Sequence, residues 1–247
     1  MNDPKFTYSS SAAAADVDTG LRAYMLGVYN YMTTALLVTG LFAYGTKMMA
    51  TTTTETGERF LTGFGQLLFT TPLQWVVALA PLGMVFWLSA RMHAMSSQKA
   101  QKLFYVFAAL MGMSLSSLLI VYTGASVARA FFITSGAFAG LSLYGYTTKR
   151  DLAPLGAFLI MGVFGLILAS VVNMFVASQG MEFMISIVGV LLFAGLTAWD
   201  TQKIKSMYMV SDSHEVAQKK SIHGALSLYL DFINMFIMLL RLMGNRE

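Results

Sequence analysis

The chain has 247 residues, of which 56% are hydrophobic and only 11% charged, and its net charge is +4. A soluble domain spends about a quarter of its residues on charge to cover its surface, so this composition excludes an ordinary soluble fold. With no cysteine there is no disulfide or thiolate metal site, and the modest positive charge, scattered among apolar runs, does not read as a nucleic-acid footprint.

Residues 1–20 (MNDPKFTYSSSAAAADVDTG) are small and polar and include Asp3, Asp16 and Asp18. A secretory signal opens with positive charge followed at once by an apolar core; here the single Lys5 is outnumbered by three aspartates and no such core follows it. The stretch predicts a flexible cytoplasmic tail that ends near residue 23. From there to residue 247 the sequence reads as a single membrane domain.

A spanning helix needs about 20 mainly apolar residues. Seven segments qualify, at residues 24–46, 72–90, 103–122, 128–147, 154–177, 181–201 and 221–243. Pro72 opens the second and Pro154 the fifth, positions where a missing N–H costs nothing. Only a few residues separate the third from the fourth and the fifth from the sixth, which makes each pair antiparallel neighbours. The longest connection, residues 47–71, is rich in Thr and Gly and predicts an exposed loop. The expected fold is therefore an all-α membrane protein with seven transmembrane helices. Placing the tail and the second-to-third, fourth-to-fifth and sixth-to-seventh loops on one side gives that side 11 of the 16 Lys and Arg. By the positive-inside rule that side, with the N-terminus, is cytoplasmic, and a full seventh crossing puts the C-terminus outside.

Few polar residues interrupt these runs. A charged side chain at a helix centre costs about 2.5–3.5 kcal/mol on insertion scales, so each one calls for a functional reading. In the seventh run, at about 100° per residue and with His223 at zero, Ser227 falls near 40°, Asp231 near 80°, Asn234 near 20° and Arg241 near zero. The polar residues thus share roughly a quarter of the circumference. Such a stripe cannot face lipid, so this helix should be central and line a polar interior. Ser227 and Asn234 on it read as interhelical hydrogen-bonding groups, and His223 and Arg241 as side chains that snorkel to the ends. Asp231, a carboxylate within the span, is the functional candidate.

Asp200 closes the sixth run just before Lys203 and Lys205. Alone it has two readings, an interfacial residue paired with those lysines or a partner for Asp231. Its depth favours the second, because antiparallel sixth and seventh helices bring both aspartates into the cytoplasmic half. Two carboxylates in a low-dielectric site cannot comfortably both ionise. They share a proton or hold a cation between them. A hard cation such as Ca²⁺ wants six to eight oxygens, so two aspartates make a passing, water-completed Ca²⁺ site and not a resident metal centre. Arg91, at the cytoplasmic end of the second span, is a candidate counter-ion. Glu182, opening the sixth span, suits a helix N-terminus, and Asn173 reads as an interhelical hydrogen bond.

The final segment, ALSLYLDFINMFIMLLRLMG, resembles the C-terminal signature of the Bax inhibitor-1 family, and AWDTQKI in the sixth span resembles the element that precedes it there. The N-terminal extension and long first loop look like those of bacterial members, which implies a bacterial inner membrane. The resemblance also implies a last helix wrapped by two layers of three, and a pH-sensitive Ca²⁺ leak governed by an aspartate pair that maps onto Asp200 and Asp231. In that scheme protonation alters how the pair engages an arginine of the second span, here Arg91. No cofactor and no enzymatic activity are implied. Some bacterial relatives look like partners of a membrane-anchored AAA protease. The alternative reading is thus a non-enzymatic modulator of such a protease in membrane stress, with residues 1–20 as its handle.

Other chemistries fit less well. An intramembrane aspartyl protease lacks G-x-G-D around either aspartate. A retinal protein would need a lysine in the last span for its Schiff base. Zinc chemistry has only three scattered histidines to draw on.

Overall fold

The structure, a computed structural model, describes residues 7–53 and 59–246. Helix α1 runs Thr7–Ala50, and a short antiparallel hairpin follows, β1 Thr51–Thr53 against β2 Arg59–Leu61. The remaining helices are α2 Gly63–Phe69, α3 Leu73–Arg91, α4 Ser97–Val121, α5 Gly124–Thr147, α6 Ala153–Val176, α7 Gln179–Ser206 and α8 His214–Met243. Seven of them are long and apolar enough to cross a membrane, α2 being the exception. They match the seven expected spans in order.

Helix α1 starts ahead of the expected span, at Thr7, because the alanine run favours helix over coil; residues 1–6 of the expected tail lie outside the described residues. The connection expected at residues 47–71 is partly ordered. Its strands are mostly exposed, but Thr62 caps α2 by accepting from the Gly65 amide at 3.1 Å, and Gly65 and Leu68 are buried. A Cβ at Gly65 would collide with the Ala50 carbonyl, so glycine lets α2 lie against the end of α1.

Short polar residues stop and start the other helices. Thr123, Ser178 and Ser213 accept amide hydrogens at the first turns of α5, α7 and α8, satisfying donors the helix leaves unpaired. Ala177 takes a left-handed conformation (φ 52°) that ends α6 and turns the chain directly into α7. Pro81 lies inside α3 without ending it; spanning helices tolerate proline where neighbouring groups satisfy the freed carbonyl.

Helix α8 occupies the centre. It packs against α7, α1, α5 and α4, while α3 packs chiefly on α4 and α6 chiefly on α7. Along their most apolar stretches, 56% of α8 is buried against 11% of α3. Phe104 and Phe107 of α4 meet the Tyr229 ring edge-on at 5.8 and 5.6 Å, and Phe131 and Phe138 of α5 do the same to Phe232 at 5.7 and 5.6 Å. The Tyr229 hydroxyl is 2.6 Å from Thr39 Oγ of α1. Helix α8 is thus held on two sides, by aromatic contact and by a buried hydroxyl pair.

The far end of α8 is also tied down. The Asn245 amide donates to Ser126 Oγ at 2.9 Å, and the Thr123 amide donates to the Asn245 carbonyl at 3.0 Å. Helix α8 therefore runs the length of the bundle and ends beside the α4–α5 turn.

Close approach of α5 to α7 depends on Gly145, where a Cβ would strike the Ala198 carbonyl two residues before Asp200. Gly145→Val is expected to lower stability by about 1–3 kcal/mol through overpacking, read as a lower unfolding temperature of the purified protein. An unchanged midpoint would show that the helices part without cost.

Candidate functional site

Asp231 sits between Tyr229 and Phe232 on the central helix and is only 5% exposed. Asp200, on α7, is half-buried. The two carboxyl groups lie within hydrogen-bonding reach of one another, so the packing of α7 on α8 brings together the two aspartates singled out from the sequence.

No donor reaches Asp231 Oδ2 among the described residues. A buried carboxylate left this way is costly. The partner placed to relieve it is the Asp200 carboxyl, which donates only if it carries a proton.

The lysines beside Asp200 do not pair with it. Lys203 lies over the Trp199 ring at 4.8 Å, and Lys205 lies over the Tyr146 ring at 4.9 Å while donating to the Tyr146 carbonyl at 2.8 Å. Of the two readings open for Asp200, the lysine-paired one is therefore not the arrangement seen. The same packing draws Gln202 away: it accepts from the Leu152 amide at 2.8 Å and donates to the Arg150 carbonyl at 2.7 Å, fastening α7 to the start of α6.

The remaining predicted residues lie apart from the pair. Asn234, one turn past Asp231, donates to the Leu230 carbonyl of its own helix at 2.8 Å, so it does not bridge helices. Ser227 is half-buried and makes no side-chain hydrogen bond among the described residues. Asn173 accepts from the Ser178 amide at 3.0 Å, closing the α6–α7 turn instead of bonding another span. Arg91 is exposed and enters no ion pair among the described residues. The 3-10 turn that follows it, Met92–Ala94, packs on α8, which sets Arg91 at the same end of the bundle as the pair.

One polar feature escaped the sequence reading. The Tyr29 hydroxyl of α1 is 2.6 Å from Ser142 Oγ of α5, which is 3.0 Å from Thr201 Oγ of α7. This hydroxyl chain crosses three helices beside Asp200 and ends at the Thr197 carbonyl, to which Thr201 donates at 2.7 Å. The Thr197 and Thr201 spacing of four was the only signal for it. Among the described residues no group of three or more His, Cys, Asp or Glu comes together, so the aspartate pair has no third ligand of that kind.

Comparison with known proteins places this arrangement. The profile of the family described as inhibitor of apoptosis-promoting Bax1 matches residues 21–247. The chain belongs to the Bax inhibitor-1 family. Among bacterial relatives, a Rickettsia prowazekii protein, RP147, is 47% identical over the full length of both chains. A Caulobacter vibrioides protein is 45% identical, again over the full length of both. The inner membrane protein YbhL of Escherichia coli is 43% identical over 92% of this chain and 94% of its own. The Bax inhibitor-1 match covers all seven spans and both aspartates, so the motif resemblance in the last two spans extends over the whole membrane domain.

Proposed function

We propose that this protein is a passive cation pathway of the bacterial inner membrane, with Ca²⁺ as the permeant ion, gated by protonation of the Asp200–Asp231 pair. What carries the reading is the Asp231 carboxyl, buried on the central helix with a second carboxyl as its partner and, among the described residues, no ion pair to either. Such a pair can close on a shared proton or part to meet a cation. The distribution of Lys and Arg sets the pair in the cytoplasmic half of the bilayer, and the membrane named in YbhL's description agrees with the proposed location.

Protons and Ca²⁺ compete for the same oxygens, since an oxygen must be deprotonated to coordinate. Cation occupancy of the pair, and flux with it, therefore rises with pH. The test is Ca²⁺ uptake into proteoliposomes across pH, comparing wild type with a protein carrying both Asp200→Asn and Asp231→Asn. Equal, pH-independent uptake in the two would sink the proposal.

Arg91 is proposed as the cation that engages the pair once both carboxylates ionise, through a movement of the 3-10 turn that follows it and packs against α8. There it competes with Ca²⁺ for the ionised pair, so Arg91→Gln is expected to raise uptake at high pH and leave low-pH uptake unchanged. Identical profiles for variant and wild type would remove Arg91 from the scheme.

A further inference from the structure

At the end of the bundle away from the aspartate pair, a vestibule of about 760 Å³ opens between α4, α6, α7 and α8. Its polar wall carries Glu182, Asn234, Arg241 and Arg246. Arg246 is already engaged: it pairs with Glu182 at 3.3 Å and lies over the Tyr122 ring at 5.9 Å. Glu182 is thereby occupied too. Arg241 has no partner among the described residues, although it lies only ten residues, or about 15 Å of helix, beyond Asp231.

The other walls are apolar. Val121 of α4 and Ile167 and Val171 of α6 line the vestibule and are 44%, 53% and 47% exposed. No substantial packing joins α4 to α6, so the vestibule opens sideways toward the acyl region of the bilayer.

We infer that this vestibule is a phospholipid site, in which Arg241 holds the headgroup phosphate and an acyl chain lies in the slot between α4 and α6. A guanidinium meets phosphate with two parallel N–H donors, geometry a lone ammonium does not offer. Two arginines against one glutamate leave the wall net positive, which suits an anionic headgroup. A free phosphate would satisfy Arg241 but leave the apolar slot unused, whereas a phospholipid fills both. The inference does not depend on cation flux, and a failed flux assay leaves it standing.

The test is native mass spectrometry of the purified full-length protein titrated with phosphatidylglycerol. Wild type should retain a single tightly held lipid. Arg241→Gln should weaken that binding by about tenfold or more, the scale of a hydrogen bond to a charged group, and Arg241→Lys by less. Ile167→Trp leaves Arg241 intact and fills the slot from a lipid-facing position, so it should also weaken lipid binding. Undiminished binding in Arg241→Gln, or in Ile167→Trp, overturns the site. So does inorganic phosphate displacing the lipid at equal concentration, which would mark an anion site with no acyl component.

Discussion

Asp231→Asn alone is expected to abolish the pH dependence of Ca²⁺ uptake into proteoliposomes. Asparagine matches the carboxyl in size, so the packing of Tyr229 and Phe232 against α4 and α5 survives. The pair loses the group that must ionise, and Asp200 is left facing a neutral amide that both donates and accepts. One shared proton lets flux change by at most about tenfold per pH unit. Wild type should approach that slope where the proton leaves, and the variant should be flat. Because the two carboxyls act as a unit, Asp200→Asn should give nearly the same flat profile, and the double variant little more than either single one. Additive effects of the two substitutions would mean that each aspartate titrates for itself, and the shared-proton gate would be lost as an explanation.

Thermal stability should carry the same signature. With one proton between them the carboxyls attract; with none, two like charges face each other in a medium of low polarity. At an effective dielectric near 20, a separation of about 4 Å corresponds to about 4 kcal/mol of repulsion. The packed arrangement is thus stable while the proton is held and loses stability as pH rises through its release. Each kcal/mol is worth roughly 2–4 °C in a chain of this size. The unfolding temperature of wild type in detergent should therefore fall by several degrees as the pair ionises, while Asp231→Asn stays level and unfolds above wild type at high pH. A wild-type midpoint that does not move with pH, or that moves in parallel with the variant, would show that the pair never bears two charges.

Much of this was legible in the residues. Hydropathy is a local property, so seven spans can be counted from it, and the polar stripe from His223 to Arg241 by itself requires α8 to be central. The aspartate pair was legible for the same reason: Asp200 and Asp231 lie on consecutive antiparallel helices at matching depth, and chain direction alone brings them level.

The partners of the side chains were not. Lys203 and Lys205 stand three and five residues from Asp200, and proximity along the chain suggests ion pairs. The structure sends Lys205 to Tyr146, 59 residues away on α5, and Lys203 onto Trp199. Asn234, expected to bridge helices, satisfies itself on its own backbone. The Tyr29–Ser142–Thr201 chain joins three helices through hydroxyls with no charge to mark them. The vestibule lies where α4 and α6 make no substantial contact.

The buried carboxylate on the last helix was therefore determined by sequence, because lipid forbids a polar stripe on its own surface. Which groups reach that carboxylate was decided by tertiary packing. A side chain selects a partner by distance and direction in three dimensions, and Gly145 and the aromatic rings around Tyr229 and Phe232 set those distances.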